Sequence, residues 1–390
     1  MKPTLTCRLA FLLIASSMAT AQLHVVQPPS QSCDGLSNLI EWGSQFRFDS
    51  CHTGYNPYEV VLSPANVGNL VLDWQYTTGS YVDSSPTVAD GVVYIGSEDN
   101  NVYALDASTG ALLWQYTTAS RIESSPTVAD GVVYIGSDDN NLYALNGTTG
   151  ALVWKYLTGD VVNSSPAVAN GIVYVGSADS SVYALNANSG ALLWRYTTAG
   201  GIESSPAVAN SVVYVGSADN IYALNASTGA LLWRYTTAGA IGSSPAVANS
   251  VVYVGGGYGD NSLYALNAGT GALLWKYTTQ RPIYSSPAVA NGAVYVGSMD
   301  YNVYAVNAAT GVLLWKFTAG TFFTSGPSVA NGVVYIESFG GGLWALNAST
   351  GTLLGTFPAE GDSSPAVASG VVYAGDHYSG NLYAFHLPDQ

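Results

Sequence analysis

Charged side chains are scarce in this sequence, and the few present are unbalanced. Asp, Glu, Lys and Arg make up 9% of the 390 residues, with 10 basic residues against 25 acidic ones and a formal net charge of −15 at pH 7. Because a field of this sign repels phosphate backbones, the charge argues against nucleic acid as a partner. The apolar share of 48% is large enough for an extensive buried core, so the chain is not of the intrinsically disordered class.

Long apolar runs are also few, and the clearest one lies at the N-terminus. Lys2 and Arg8 precede the apolar run 9–15, and Ala19-Thr20-Ala21 follows it. This layout is typical of a cleavable secretory signal, and the apolar run is too short to span a bilayer. We therefore expect residues 1–21 to be a signal peptide and the mature chain to be periplasmic or secreted, with no integral membrane segment.

Cysteine is nearly absent from the mature chain, which keeps only Cys33 and Cys51. Both lie in residues 22–69, which carry no repeat. In an exported protein two such cysteines are expected to form one disulfide. A metal site is the weaker alternative, because two cysteines supply half of a tetrahedral shell. We expect this segment to run along the flank of the domain and lead into the strand around Trp74.

The remainder of the sequence is an internal repeat. The stretch from Ala104 to Trp114 returns about every forty residues, and a seventh copy, Ala345 to Gly355, lacks the Trp. A second marker, Ser-Ser-Pro, occurs upstream of each copy, with Ser-Gly-Pro once; its prolines are Pro86, Pro126, Pro166, Pro206, Pro245, Pro287, Pro327 and Pro365. A period near forty with several short strands per unit indicates a propeller or a solenoid, since one unit cannot bury its own apolar face.

The content of one unit favours the propeller. The second unit has four runs rich in β-branched and aromatic residues, at 125–129, 132–135, 141–145 and 151–156, separated by Asp-Gly and Asn-rich turns. Four strands per unit correspond to one propeller blade. The sequence thus predicts an all-β domain at 70–390 with eight blades of four antiparallel strands.

The two ends of the repeat region predict how the ring closes. The last unit ends after the run 381–385 without a Trp strand, whereas the first Trp strand, around 70–78, precedes the first Ser-Ser-Pro. We therefore expect the N-terminal strand to complete the last blade, which removes the open edges between first and last blades.

The repeated pattern Ala-x-Asp/Asn-x-x-Thr-Gly-x-x-x-Trp resembles the tryptophan-docking motif of the eight-bladed quinoprotein (PQQ) alcohol dehydrogenase superfamily. The segment Asn66 to Trp74 is similar to the entry into that family's first blade. The resemblance implies that each Trp stacks on the neighbouring blade and has an architectural role. The docking residues are Trp74, Trp114, Trp154, Trp194, Trp233, Trp275 and Trp315.

Function is expected at the end of the ring where the units differ most from one another. Loops between the fourth strand of one blade and the first of the next share that end with the loops between second and third strands. The candidate ligand rim consists of Asp83, Glu123, Asn163, Glu203, Tyr284 and Asp362, with Arg121 and Arg281 within reach. Carboxylates around one mouth repel each other unless neutralised, so Ca²⁺ or a small polar ligand is one interpretation. A solvated acidic rim is the other.

Further residues of these loops have structural interpretations. An Asp recurs in most of the loops between second and third strands and is expected to cap the turn. His377 is the only histidine in such a loop, and no second histidine accompanies it as a metal ligand. A more apolar sector contains Tyr258, Met299, Tyr301, Phe322 and Phe323 and is either a docking patch or a loop core.

Three functions remain open. We favour an exported, non-catalytic binding or scaffold propeller that presents its channel mouth to a protein or another ligand and acts as a monomer; the exported propeller of the outer-membrane assembly machinery offers a resemblance for this function. A dehydrogenase with PQQ and calcium is the alternative that the family resemblance implies, but there is no adjacent cysteine pair, no haem motif and no catalytic residue set that can be matched. A carbohydrate-binding or adhesion module is the third. We therefore expect no cofactor, no metal and no catalytic residues.

Overall fold

The computed structural model describes residues 45–218 and 220–388. The predicted signal peptide and Cys33 lie outside these residues, so the signal and the Cys33–Cys51 disulfide stay predictions. No helix in the described ranges is long and apolar enough to cross a membrane.

Eight antiparallel four-stranded blades form the domain, as the repeat predicts. In blades one to four the strands, from the inner to the outer, are β3 Thr87–Ala89, β4 Val92–Gly96, β5 Asn101–Asp106 and β6 Leu112–Thr117; β7 Thr127–Ala129, β8 Val132–Gly136, β9 Asn141–Asn146 and β10 Leu152–Leu157; β11 Ala167–Ala169, β12 Ile172–Ser177, β13 Ser181–Asn186 and β14 Leu192–Thr197; β15 Ala207–Ala209, β16 Val212–Ser217, β17 Asn220–Asn225 and β18 Leu231–Thr236.

Blades five to eight repeat this order. Their strands are β19 Ala246–Ala248, β20 Val251–Gly255, β21 Ser262–Asn267 and β22 Leu273–Thr278; β23 Ala288–Ala290, β24 Ala293–Gly297, β25 Asn302–Asn307 and β26 Leu313–Thr318; β27 Ser328–Ala330, β28 Val333–Ser338, β29 Gly342–Asn347 and β30 Leu353–Phe357; β31 Ala366–Ala368, β32 Val371–Gly375, β33 Asn381–His386 and β2 Val71–Thr77. Two short elements precede the blades, β1 at Tyr55–Asn56 and a 3-10 helix at Val67–Asn69.

The burial of each strand follows from its place in the blade. The second and third strands are buried on both faces because a neighbouring blade covers each side, so they read as continuous apolar runs. The fourth strand buries the Trp and alternates with exposed residues.

The ring closes as predicted, through the N-terminal strand. β2 pairs antiparallel with β33, from Val71 opposite His386 to Thr77 opposite Asn381. The last blade is therefore built from both ends of the repeat region, and this confirms the predicted closure.

Each docking Trp contacts the turn of the next blade in two ways. The indole nitrogen of Trp114 donates a hydrogen bond to the carbonyl of Gly147 at 2.7 Å, and Trp315 does the same to Ala348 at 2.8 Å. The ring also covers a glycine with positive φ: a Cβ on Gly150 would lie 2.7 Å from the ring of Trp114. The Gly of the repeat is thus required both by the backbone conformation and by the approach of the ring.

The missing Trp at position 355 has a structural explanation. Blade eight has no turn between its third and fourth strands, because β33 and β2 come from opposite ends of the repeat region. The segment around the 3-10 helix occupies that place instead, and a Cβ on Gly355 would lie 3.4 Å from Cα of Gly68. Glycine is suited to this position because the N-terminal chain packs directly on the strand.

The N-terminal segment does not run along the flank at residues 45–56, and that expectation was wrong. These residues, here called the N-terminal plug, lie inside the ring, where β1 pairs in parallel with β27. The plug carbonyls of Ser50, Cys51, Thr53 and Gly54 accept hydrogen bonds of 2.6 to 2.9 Å from the amides of Val208, Val247, Val289 and Val329, in the innermost strands of blades four to seven. The physical reason is that each innermost strand is a sheet edge whose N–H groups face the channel and need acceptors.

The side chain of Arg47 in the plug replaces hydroxyl donors that two blades lack. Thr87 and Thr127 donate to the Pro carbonyl of the next blade at 2.6 Å. Blades five and six carry Ala246 and Ala288 at this position and cannot donate. There Nη2 of Arg47 donates to the carbonyls of Pro287 at 2.8 Å and Pro327 at 2.9 Å.

Candidate functional site

The plug converts the central channel into a funnel that is closed at its floor. The funnel has a volume of about 360 Å³, with Phe46 of the plug among its lining residues. Five of the predicted rim residues line it together: Asp83, Glu123, Asn163, Glu203 and Asp362. The loops that precede the innermost strands therefore converge around one cavity.

A belt of serine hydroxyls fixes the funnel wall below these residues. The amide of Ser85 donates to Oγ of Ser125 at 2.9 Å, and the amide of Ser364 donates to Oγ of Ser85 at 2.8 Å, which links the last blade to the first. The same bond joins most neighbouring blades. The second Ser of Ser-Ser-Pro thus connects the blades by hydrogen bonds, and the first accepts from the Gly amide of its own second strand, as Ser84 does from Gly96 at 3.0 Å.

Three predicted rim residues do not line the funnel. Arg121 is held by ion pairs to Asp138 at 2.6 Å, Glu123 at 3.0 Å and Glu98 at 3.9 Å. Arg281 lies over the ring of Tyr301, with its guanidinium carbon 5.6 Å from the ring centroid. The ring of Tyr284 leans towards blade five, where a Cβ on Gly242 would lie 2.8 Å from it.

The funnel carboxylates have distinct partners. Glu123 accepts a hydrogen bond from the amide of Asn163 at 2.9 Å, and burial raises its pKa although Arg121 opposes the shift. Asp362 accepts a hydrogen bond from the hydroxyl of Thr324, and burial raises the pKa of Asp362 to about 6. Glu203 is exposed. The charge of this face is therefore negative at neutral pH, with Arg121 as a paired cation.

His377 lies beside the funnel, where it contacts the rim residue Asp83. Its Nδ1 lies 2.8 Å from Oδ1 of Asp83. The ring of Tyr81 stacks on the imidazole, with centroids 4.3 Å apart, and the ring of Phe339 meets it edge-on at 5.4 Å. This position restrains Asp83 and joins the carboxylate rim to an aromatic cluster, which the sequence did not predict.

The recurrent loop aspartates cap turns. Asp99 accepts hydrogen bonds from the hydroxyl of Tyr103 and the amide of Gly79, both at 2.6 Å. The same Tyr-to-Asp bond is made by Asp139, Asp179, Asp260 and Asp300. These aspartates tie the loop between second and third strands to the loop that enters the blade, so they shape the face structurally.

Sequence reasoning missed Glu337. The other blades have glycine at this position, because a Cβ there would meet an apolar side chain of the next blade. A Cβ on Gly96, for example, would lie 2.3 Å from the side chain of Ile122. In blade eight Gly361 stands where the other blades carry that apolar residue, which leaves room for the Glu337 side chain. Glu337 is fully buried, neither carboxyl oxygen has a hydrogen-bond partner among the described residues, and burial together with Asp376, Asp362 and Asp83 raises its pKa. A comparison between the repeats could have found this position.

Three carboxylates around the funnel have hydrogen-bond or ion-pair partners within the protein. No group of three or more His, Cys, Asp or Glu side chains within 45–218 and 220–388 is arranged to hold a metal ion. Asp83 contacts His377, and Asp362 accepts a hydrogen bond from Thr324. Glu123 forms an ion pair with Arg121 and accepts a hydrogen bond from Asn163. These three carboxylates of the funnel are thus engaged by groups of the protein, and we derive no chemical step through PQQ or calcium.

Comparison with known proteins agrees with the fold. The family model described as the β-propeller of the beta-alanine-activating enzyme matches residues 78–387. No protein of curated function is significantly similar in sequence.

Solved structures of two kinds resemble the domain. BamB from Moraxella catarrhalis has 20% sequence identity, covers 81% of this chain and 99% of its own, and superimposes with a TM-score of 0.69. The quinohemoprotein alcohol dehydrogenase from Comamonas testosteroni has 16% identity, with 91% and 81% of the two chains covered and a TM-score of 0.79. A europium-containing methanol dehydrogenase has 16% identity, coverage of 90% and 99%, and a TM-score of 0.76. At these identities the likeness concerns the fold alone.

Proposed function

Since the chain belongs to the β-propeller family of the beta-alanine-activating enzyme, we propose that it is an exported binding propeller whose funnel face recognises a basic segment of a partner protein. The observation that carries this proposal is the acidic funnel closed by the chain's own plug. A scaffold of this kind needs a rigid, preformed face, and no catalytic residue or cofactor enters the proposal.

Charge complementarity supports a basic partner. Asp83, Glu123, Glu203 and Asp362 line the mouth, and Arg121 is paired with Glu98, Glu123 and Asp138. A cleft lined by one sign of charge focuses the field and speeds the encounter with a segment of opposite charge. Lys or Arg side chains entering the funnel would meet the carboxylates at its rim.

Exposed aromatic residues at the same end support a protein partner. Tyr81, Tyr258, Tyr301 and Tyr378 are 42%, 80%, 38% and 59% exposed, and all belong to loops of the funnel face. Tyrosine is enriched in protein interfaces, where it supplies a large rigid contact area and a hydroxyl group. The face thus combines a charged centre with an aromatic periphery.

The test uses fluorescence anisotropy with a labelled Lys/Arg-rich peptide at low and physiological salt. The triple variant Asp83→Asn, Glu123→Gln, Glu203→Gln should weaken binding at least tenfold and flatten its salt dependence. The matched control is Asp90→Asn, Asp106→Asn, Asp130→Asn, which removes three charges at the opposite end, where other blades carry Asn170, Asn186 and Asn210.

Three results would contradict the proposal. Equal loss of binding in both triple variants would show a response to net charge alone. Binding of a neutral oligosaccharide with no peptide binding would favour the carbohydrate alternative, and dye reduction with alcohols after addition of PQQ and Ca²⁺ would favour the dehydrogenase.

A further inference from the structure

Arg47 of the N-terminal plug is a buried cation with unused hydrogen-bond donors. Its side chain is 6% exposed, and Nε and Nη1 have no hydrogen-bond partner among the described residues. Within the described part of the chain, Nη2 is the one guanidinium nitrogen with hydrogen-bond partners, the carbonyls of Pro287 and Pro327. No carboxylate in the described ranges forms an ion pair with Arg47.

The acidic group whose charge acts on Arg47, Asp49, is already engaged. Both oxygens of Asp49 accept hydrogen bonds from Thr53, its amide at 3.0 Å and its hydroxyl at 2.7 Å. Burial lowers the pKa of Arg47 to about 9, and Asp49 opposes this shift. An unpaired buried charge is strongly destabilising, so a counter-ion at the free donors would stabilise the plug.

A small cavity lies beside this guanidinium. It has a volume of about 40 Å³, and its polar lining consists of Gln45, Arg47, Asn56, Ser85, Ser328 and Ser364. This is more than the roughly 10 to 15 Å³ that one water requires, and it suits a monatomic anion better than a larger oxyanion.

The hydroxyl groups of Ser85 and Ser364, which line the cavity, can each donate a hydrogen bond. Oγ of Ser85 accepts from the amide of Ser364 at 2.8 Å, and Oγ of Ser364 accepts from the amide of Gly326 at 3.0 Å. Neither bond uses the hydroxyl proton, so both groups can donate into the cavity. Together with Nε and Nη1 of Arg47 they form a set of donors with no acceptor assigned to them.

The sequence of blade seven accommodates the guanidinium. Seven blades have Ser at the second position of Ser-Ser-Pro, and blade seven has Gly326. A Cβ at this position would lie 1.7 Å from Nη1 of Arg47. The one departure from the serine belt therefore makes space for this cation at the junction of the plug with the funnel wall.

We propose that the cavity beside Arg47 binds one small monovalent anion of the size of chloride, held by the guanidinium and the serine hydroxyls that line it. The anion neutralises Arg47 and fixes the plug to blades one, seven and eight. The proposal does not depend on the funnel function, because it requires no partner protein, although Ser85 and Ser364 line both the cavity and the funnel.

Bromide is the probe, because it scatters anomalously. Crystals of the mature protein grown in sodium bromide should give one anomalous peak within hydrogen-bonding distance of Arg47 Nε or Nη1. In solution, the midpoint of thermal unfolding should rise to a plateau as chloride or bromide replaces gluconate at constant ionic strength.

Variants separate the site from general salt effects. Arg47→Gln should abolish the halide-dependent shift, and the matched control Arg121→Gln, which alters an exposed arginine, should retain it. Should Arg47→Gln fail to fold, Ser364→Ala serves instead and should raise the apparent halide Kd at least fivefold. The proposal would be overturned if the cavity of the wild-type protein in bromide-grown crystals held water and gave no anomalous peak. Equal halide-dependent shifts of the unfolding midpoint in all variants would also overturn it.

Discussion

The indole nitrogen of Trp74 donates a hydrogen bond of 3.1 Å to the carbonyl of Ala107. Trp74 lies in β2, the strand that completes blade eight, and Ala107 lies in the docking turn of blade one. One residue thus fastens the closing strand to the first blade, so that the hydrogen bonds of β2 to β33 and the docking of Trp74 hold the same junction.

Trp74→Ala should destabilise the ring at its closure. The loss of a buried aromatic side chain in a packed interface costs about 3 to 5 kcal/mol. Urea unfolding measures this change, and hydrogen exchange should show faster exchange in β2 and β33 than in blades three to five. Trp194→Ala is the matched control within the ring; it should cost a similar free energy without raising exchange in β2. Equal exchange of β2 in both variants would contradict the role of Trp74 at the closure.

Glu337→Gln should make stability less dependent on pH. Burial raises the pKa of Glu337 in the folded state, so the wild type loses stability as the pH rises from the unfolded-state value of about 4.5 towards the higher folded-state pKa. Asp362, whose pKa is raised to about 6, adds a loss of the same sign between about pH 4 and pH 6. Glutamine has nearly the same shape and no charge, so the variant should be more stable than wild type at pH 7 and similar at pH 4. Thermal unfolding of both proteins between pH 4 and pH 7 measures the difference in stability. Parallel curves of stability against pH for variant and wild type would contradict the prediction.

Gly326→Ser should destabilise the protein although it restores the repeat. The added Cβ would meet Nη1 of Arg47 at 1.7 Å, so the guanidinium must move and lose its bonds to Pro287 and Pro327. We expect a cost of about 2 kcal/mol or more, of the kind seen when a buried charge loses its partners. In an Arg47→Ala background the same substitution should cost much less. A double-mutant cycle by urea unfolding gives this difference, and additive costs would contradict the contact.

Gly351→Ala and Gly131→Ala separate backbone strain from Trp docking. Both glycines have φ of +71°, but a Cβ on Gly351 would lie 2.5 Å from the ring of Trp315, whereas nothing lies within 4 Å of one on Gly131. Gly131→Ala should cost about 1 kcal/mol for the left-handed conformation alone. Gly351→Ala should cost at least twice as much, because the indole must also shift. Similar costs in chemical denaturation would show that the ring does not constrain the glycine.

The repeat of forty residues was enough to predict eight blades, four strands in each and the closure by the N-terminal strand. The reason is local: each unit carries its own alternation, turn residues and docking motif, so nearby residues specify the blade. The positions of Asp83, Glu123, Asn163, Glu203 and Asp362 around one mouth follow from the same symmetry. The exact places of Arg121, Arg281 and Tyr284 did not follow from it. Arg121 pairs with Glu123 at the rim without lining the funnel, and Arg281 lies over Tyr301, because side-chain partners decide where long side chains point.

The tertiary structure alone decided what fills the ring. The plug has no alternation or motif that indicates its place, and its bonds reach across the chain, as between Asn56 and Val367. The innermost strands of blades four to seven have N–H groups that need acceptors, and a segment with little regular structure can supply them around a circle, where a long straight strand cannot. The sequence by itself therefore determined the blades and their order, whereas the closed floor of the funnel and the buried Arg47 and Glu337 depend on contacts between residues that are far apart in the chain.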